Sequence, residues 1–441
     1  CPFPAYSTES LAEFDPNWQL LPALSPYLVA HRPEFPIHVM NARSNELRFP
    51  IGWSVTVEEL HRDPYAVYAR LAAHEPISWI SALGMWYVVG YENVRAALME
   101  PRLTTVSDRS TIVDTFGEHM LTSEGAVHDR YRRSAQQFFT PSNIRSRLEL
   151  LIKARTDSLV ADFASRGCAE LRSEFAARLP VQTMLAVCGL PASTEPRVRA
   201  WYDDFEAALA NFSRDQRVRD AARRSVSEFH ALLDEAIRSS RGADNVSLVA
   251  HLVNAPAAER LDDDAVKRSL SIIFFGGIST VEALLLNCLW ALFETPVALE
   301  RVRRDKALIP QVIEETMRWM SPVQSATRHA TERFEWQGIE FAPDDTVNCM
   351  LGAANRDPAI FAEPDRFDLD RVNSRRHLGF ATGAHACLGS QLAKAEARIG
   401  LEALLALPGL RIEREASAPP TGYEFRQPRR LTVSWDRSNA A

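Results

Sequence analysis

The sequence has no C-x-x-C pair: its six cysteines, Cys1, Cys168, Cys188, Cys288, Cys349 and Cys387, lie far apart. That spacing excludes a disulfide framework and a structural zinc site, and it suits reduced thiols in a cytoplasmic protein. Positive charge is not in excess either. Lys and Arg number 50 against 57 Asp and Glu, a net charge of −7, which argues against nucleic acid as a partner because a phosphate backbone needs a basic face. Internal repeats and low-complexity tracts are missing. The apolar stretch from Trp18 to Ala30 is broken by Pro22 and Pro26, and no basic segment precedes it; it is too short for a bilayer and unlike a secretory leader. What remains is ordinary globular composition, 46% hydrophobic and 24% charged over 441 residues. A chain of this length can enclose an apolar cavity.

The Pro-rich, irregular residues 1–55 read as an extension lying on a single body, 56–441. Within the body the apolar spacing predicts a helix at 64–73, a hairpin from Ile77–Ile80 and Trp86–Val89, and helices over 144–163, 180–188, 197–212 and 218–237. From Asp262 to Phe293 the chain stays apolar until Pro296 stops it. That predicts one helix of about thirty residues, long enough to cross the molecule. Its charged flanks and the interruption at Gly276, Gly277, Ser279 and Thr280 favour a core helix over a membrane span. Strand-like residues from Thr331 to Met350 flank a turn at Asp344–Asp345. The fold class is mainly α with a minor β-sheet region.

One ten-residue frame carries the strongest chemistry. Phe380, Gly383, His385, Cys387 and Gly389 stand directly before a helical run beginning near Gln391. A cysteine at a helix N-terminus has its thiolate favoured by free N–H groups and the dipole. Glycines there allow close backbone approach or positive φ, and Phe380 can shield the sulfur. A lone thiolate held this way suits one axial bond to haem iron; a buried structural cysteine is the alternative.

The frame resembles the haem-binding loop of the cytochrome P450 family, F-x-x-G-x-H/R-x-C-x-G, without mismatch. The resemblance extends over roughly residue 65 to the end. It implies a prism-shaped fold with haem b, iron protoporphyrin IX, lying between the long helix and the Cys387 loop. Glu315 and Arg318 match the family's E-x-x-R, and Pro364-Asp365-Arg366-Phe367 resembles its P-E-R-F. By resemblance Glu315, Arg318 and Arg366 form a buried structural triad, although an isolated E-x-x-R is usually a solvated ion pair. His128 and Arg132, four apart on one helical face, match H-x-R-x-R. Together with Arg328 and His385 they are the expected partners of the haem propionates. Gly276, Gly277, Ser279 and Thr280 match A/G-G-x-D/E-T, whose distorted turn forms the oxygen groove. Close approach to the cofactor or helix packing would justify the two glycines. Thr280 corresponds to the alcohol that steadies dioxygen. Ser279 departs from the pattern, because most members carry an acid there; serine passes a proton on but cannot store one near neutral pH.

The resemblance further implies a monooxygenase that inserts one oxygen atom from dioxygen into a small to medium, largely apolar organic substrate. Hydroxylation, epoxidation and dealkylation are all open. No flavin or ferredoxin module fits after the Cys387 loop. Electrons are therefore expected from NAD(P)H through a separate ferredoxin or flavodoxin-type donor with its reductase. Arg130, Arg133, Lys394 and Arg398 are candidates for a basic docking patch. Phe275, Val323, Gln324 and Ser325 are the candidate substrate contacts, with residues 103–120 as a roof. A monomer without a membrane span is expected. A peroxide-driven or non-oxidative haem-thiolate enzyme, such as an isomerase or dehydratase, is the alternative that the loss of the acid at Ser279 motivates. A haem-based sensor or carrier is the other.

Overall fold

In the computed structural model, which describes residues 42–437 apart from 108–109, 210, 212–214, 244–245 and 258, helices begin where side chains can take up free N–H groups. Asp63 caps α1 (Pro64–His74) by accepting from Tyr65 N at 3.1 Å, with Pro64 in the first turn. The expected hairpin follows as β1 (Ile77–Ile80) and β2 (Met85–Val88). Next come β3 (Leu103–Thr104), α2 (Thr111–Phe116), α3 (Gly125–Gln136), α4 (Glu149–Ala164), α5 (Arg178–Cys188), α6 (Glu195–Leu209) and α7 (Gln216–Ser240). The helix expected over 144–163 is regular only from Glu149, because Ile144–Leu148 widens into a π-turn.

The long apolar segment is two helices rather than one, α8 (Asp263–Gly276) and α9 (Ser279–Glu294). Asp262 caps the first by accepting from Ala265 N at 2.7 Å. The axis breaks at Gly277 and Ile278, where Ile278 takes φ −103°, ψ −79°. There the Thr280 hydroxyl donates to the Gly276 carbonyl at 2.7 Å, so a side chain takes up a carbonyl at the end of α8. By length and composition the span 263–294 could cross a membrane, with mean hydropathy 1.9, but 72% of that window is buried inside the protein. It is a core helix. One apolar cluster packs α5, α6 and α7 around α8, through Met184, Trp201, Phe229 and Leu270. A second packs α10 (Ile309–Trp319) and the last helix around α9, through Leu285, Leu289, Ile313 and Leu401.

The main sheet has the order β1-β2-β5-β4-β3, with β4 at Ala326–Ala330 and β5 at Thr346–Cys349. Only β2 and β5 run parallel, Tyr87 lying opposite Asn348. Between β4 and β5 a separate hairpin, Phe334–Trp336 with Ile339–Phe341, turns at Gln337 and Gly338, both at positive φ. The Asp344–Asp345 turn expected from the sequence then leads into β5. The chain ends in α11 (Ser390–Leu404) and short strands. α11 crosses α9 so closely at Gly400 that a Cβ there would stand 2.8 Å from Leu285 Cδ2. Of the extension expected at 1–55, residues 1–41 lie outside the described residues. The described remainder is held on the body: the Phe49 ring meets Trp86 at 5.2 Å, and Ile51 and Gly52 N–H donate to Glu75 at 2.7 and 3.0 Å.

Candidate active site

The Phe380–Gly389 loop folds back on itself before entering α11. Cys387 N donates to the Phe380 carbonyl at 2.9 Å and Ala386 N to Gly383 O at 3.2 Å. Gly383 requires its lack of a Cβ, at φ +78°. Gly389 does not: its φ is −86°, and a Cβ there would meet nothing within 4 Å. The Phe380 ring lies 5.7 Å from His377 and 5.2 Å from Lys394 Nζ. The Cys387 thiol is free and accessible, yet protein surrounds it, so it opens onto space inside the fold. Burial holds its pKa above the ordinary thiol value. The N–H groups of Gly389 and Ser390 and the cations Arg132 and Lys394 pull the other way. The helix N-terminus thus acts as the sequence suggests but is outweighed by desolvation.

At the break in the long helix the two glycines divide their roles. Gly276 is exposed and faces open space, with nothing within 4 Å of a Cβ position. Gly277 does not join it: a Cβ there would stand 2.9 Å from Met184 Sδ of α5, so helix packing explains this glycine and its expected catalytic place is corrected. Thr280 is partly exposed, whereas Ser279 is buried on another face. Phe275 stacks on Tyr202 at 5.4 Å and meets Phe116 of α2, from the expected roof, at 5.7 Å.

The cationic residues expected near the cofactor come together in part. The His128 and His385 rings are 4.4 Å apart, and His385 Nε2 lies 3.0 Å from Glu124 Oε2. Burial lowers the pKa of His385, which Arg328 and His128 reinforce while Glu124 opposes. Arg132 Nη1 donates to the Ala386 carbonyl at 2.7 Å, next to the cysteine. Arg328 is buried, and its Nη1 donates to the Thr327 carbonyl at 2.9 Å. Among the described residues no carboxylate stands within ion-pair distance of Arg132 or Arg328; burial lowers the pKa of both. Lys394 and Arg398, by contrast, are paired with Glu314, Glu149 and Glu402, and Arg130 donates to the Arg260 carbonyl.

The buried triad has a different third member. Arg318 binds Glu315 through Nε and Nη2 at 3.0 and 2.7 Å, with both side chains closed to solvent. The second cation is Arg371, whose Nε donates to Glu315 Oε1 at 3.0 Å. Arg366 contributes only its backbone carbonyl, an acceptor for Arg318 and Arg371; its guanidinium is exposed on Glu363 and Asp368. Two of the expected substrate contacts are likewise corrected. Gln324 is fully buried, its amide donating to Ser321 O at 2.6 Å and Tyr65 Oη at 3.3 Å. Ser325 donates to the Glu424 carboxylate. Both serve the packing beneath the sheet rather than a polar contact with a ligand, whereas partly exposed Val323 bridges to Phe425.

Residues 195–407 match the sequence model of the family described as Cytochrome P450. The cytochrome P450 monooxygenase PikC of Streptomyces venezuelae is 32% identical over 362 residues, which are 79% of this chain and 84% of that protein. The chain belongs to the cytochrome P450 family. Among solved structures, CalO2 superposes with a TM-score of 0.80 at 28% identity over 86% of this chain and 98% of its own. P450BioI, solved with a hexadec-9Z-enoic acid ligated acyl carrier protein, gives 0.79 at 28% over 86% and 100%.

This P450 is therefore an oxygen-incorporating oxidoreductase of the bacterial type, and its family holds haem through a cysteine thiolate. Its residues fit that group on their own terms. An accessible thiol inside the fold, a glycine facing open space, and one buried and one half-buried guanidinium group with no carboxylate at ion-pair distance among the described residues are what a porphyrin with two propionates needs. Three features escaped sequence reasoning. Arg371 lies outside the P-E-R-F stretch, and no local signal marks it. Tyr202 and Glu206 on α6 face α9 only through tertiary packing, and Arg172, at 2.7 Å from Glu282, comes from a π-turn.

Proposed function

We propose that this P450 uses Cys387 as the axial thiolate of haem b and inserts one oxygen atom from dioxygen into a small to medium, largely apolar organic compound. Hydroxylation, epoxidation and dealkylation all fit. The accessible, unpaired Cys387 thiol ahead of α11 carries this reading. When bound, the haem supplies the activation of dioxygen and the oxygen-transfer chemistry.

The chain's own residues hold and orient it. Arg132 and Arg328 supply positive charge to the propionates, His128 and His385 further polar contacts, and exposed Gly276 leaves room for a flat macrocycle. Phe380 covers the loop. Thr280 presents its hydroxyl at the helix break, where its bond to the Gly276 carbonyl orients it. Phe275, with Phe116 and Tyr202 against it, favours apolar substrates. Electrons come from NAD(P)H through a ferredoxin or flavodoxin-type donor and its reductase. The five described cysteines are free thiols, which supports a reducing, cytoplasmic setting.

The test is the carbon monoxide complex of the reduced protein. A red-shifted Soret band that Cys387→Ser abolishes is expected. A band left unchanged by that substitution overturns Cys387 as ligand, and a wild type without it overturns the haem-thiolate reading.

A further inference from the structure

The turn 422–426, between the paired strands Ala418–Thr421 and Gln427–Arg430, is fastened to both sides of the candidate site. Gln324 N donates to the Glu424 carbonyl and Arg426 N to the Pro322 carbonyl, both at 2.9 Å. That segment runs on into β4, where Arg328 follows Ser325 by three residues, about 10 Å of extended chain. On the other side the Asn287 amide of α9 donates to the Arg426 carbonyl at 2.9 Å. Asn287 lies seven residues beyond Thr280, about 10 Å along the helix. The turn therefore stands a small molecule's length from the Thr280 hydroxyl and from the propionate side.

Glu424 is the acid of that turn. It is half-buried, yet protein surrounds its carboxyl, so the accessible part faces space inside the fold, as at Cys387. Two neutral donors hold it: the Ser325 hydroxyl on one oxygen, and Asn348 Nδ2 of β5 on the other at 3.1 Å. Asn348 is itself fixed, its side-chain oxygen accepting from the Thr327 hydroxyl at 2.6 Å. Among the described residues no cation stands at ion-pair distance from Glu424. The nearest in sequence, Arg426, turns its guanidinium to the carbonyls of Gly422 and Arg62. Tyr423 and Phe425 flank Glu424, and Phe425 is 48% exposed; aromatic rings and a carboxylate together suit an ammonium group.

We propose that Glu424 is a substrate anchor: it takes the protonated amine of an otherwise apolar substrate and leaves a carbon about 10 Å away beside Thr280. The proposal rests on the haem-thiolate reading and adds a substrate class to it. Ser325 and Asn348 position the carboxylate without neutralising it. A carboxylate enclosed by protein and held only by neutral donors lacks a countercharge, and a substrate ammonium supplies one through a charge-assisted hydrogen bond. Burial raises the pKa of Glu424 to about 7, with Ser325 and Asn348 opposing. The titratable groups around it are the phenols of Tyr68 on α1, Tyr87 on β2 and Tyr423; Tyr65 and Arg426 act on Tyr68. A cation seated there favours the ionised carboxylate.

The probes are N,N-dimethyl-4-phenylbutylamine, a cation at neutral pH, and its uncharged carbon isostere (5-methylhexyl)benzene. Dissociation constants are read by calorimetry and by the high-spin shift of the ferric protein. The wild type should bind the cation more tightly than the isostere. Glu424→Gln keeps the shape of the side chain and removes its charge. It should weaken the cation about 10- to 100-fold, the worth of a hydrogen bond to a charged group, and leave the isostere unchanged, which also reports an intact pocket. The wild type alone gives a second reading: affinity for the cation should rise as pH passes about 7, and affinity for the isostere should not. An isostere bound as tightly as the cation, a cation bound equally by Glu424→Gln, or no binding of either probe overturns the anchor. The failures separate: a wild type without the carbon monoxide band defeats the haem-thiolate reading, whereas an intact band with any of those results defeats the anchor alone.

Discussion

Arg371 donates its Nε to Glu315 Oε1 at 3.0 Å, with 6% and 0% of the two side chains exposed. The same oxygen also accepts from Arg318 Nη2 and from Asp368 N. One carboxylate thus ties α10 to the segment leading into the Cys387 loop. Removing one cation from such a cluster leaves a buried charge short of a partner, at a cost of about 3–5 kcal/mol. Arg371→Ala should lower the denaturant midpoint accordingly. Arg366→Ala, at an exposed position, should leave the midpoint where it is, and a reversal of that order in equilibrium unfolding would restore Arg366 to the cluster.

Two glycines on different helices, Gly276 ending α8 and Gly400 in α11, should respond in opposite ways to an added methyl group. Gly276→Ala meets nothing within 4 Å, so the haem-free protein should be as stable as wild type or more stable, by up to about 1 kcal/mol from helix propensity. Its haem content per protein should fall. Gly400→Ala puts a Cβ 2.8 Å from Leu285 Cδ2 and 3.4 Å from Phe175, an overpacking that costs about 1–3 kcal/mol. Thermal melts together with haem occupancy check both halves, and full haem loading in Gly276→Ala would contradict the approach of a macrocycle to that residue.

Arg328→Ala removes a buried guanidinium that has no carboxylate at ion-pair distance among the described residues, Glu124 acting on it only from farther away. The apoprotein should gain or keep stability, because an isolated buried charge is a burden. Haem should dissociate faster into an acceptor such as apomyoglobin. Equal dissociation rates for variant and wild type would argue against a propionate contact.

Glu396 on α11 is fully buried, and among the described residues neither carboxyl oxygen completes a hydrogen bond. Burial raises its pKa from 4.5 to about 8, with Thr183 opposing. The folded protein therefore keeps this proton where the unfolded chain has released it. The contribution is fully present below pH 4.5 and is lost as pH rises through about 8. Stability should fall across that window by on the order of a few kcal/mol. Glu396→Gln should flatten the decline, and urea midpoints across the window that run parallel in wild type and variant would show that Glu396 does not cause it.

Short-range patterns were legible where the physics is short-range. The hairpin 77–88, the start of the long apolar segment near Asp262 and the Cys387 loop with its helix depend on residues a few positions apart, and the structure holds them as expected. The long helix was legible in extent but not in continuity, because the turn at Gly277 and Ile278 is set by α5 and Met184 packing against it. Gln324 and Ser325 stood as candidate substrate contacts only because the sequence does not show Tyr65, Ser321 and Glu424 around them.

By itself the sequence determined the family, the helical fold with its minor sheet, and the one thiol placed at a helix N-terminus, since each is written in spacing along the chain. Tertiary structure alone decided that Arg371 rather than Arg366 neutralises Glu315, that Gly277 packs while Gly276 stays open, and that Tyr202 and Glu206 stand beside Ser279. Charge pairing and desolvation depend on distances between residues far apart in the chain, as for His385 and Glu124, 261 positions apart, which only folding brings together. Those distances exist only once α6, α9 and the loops around the last helix have packed together.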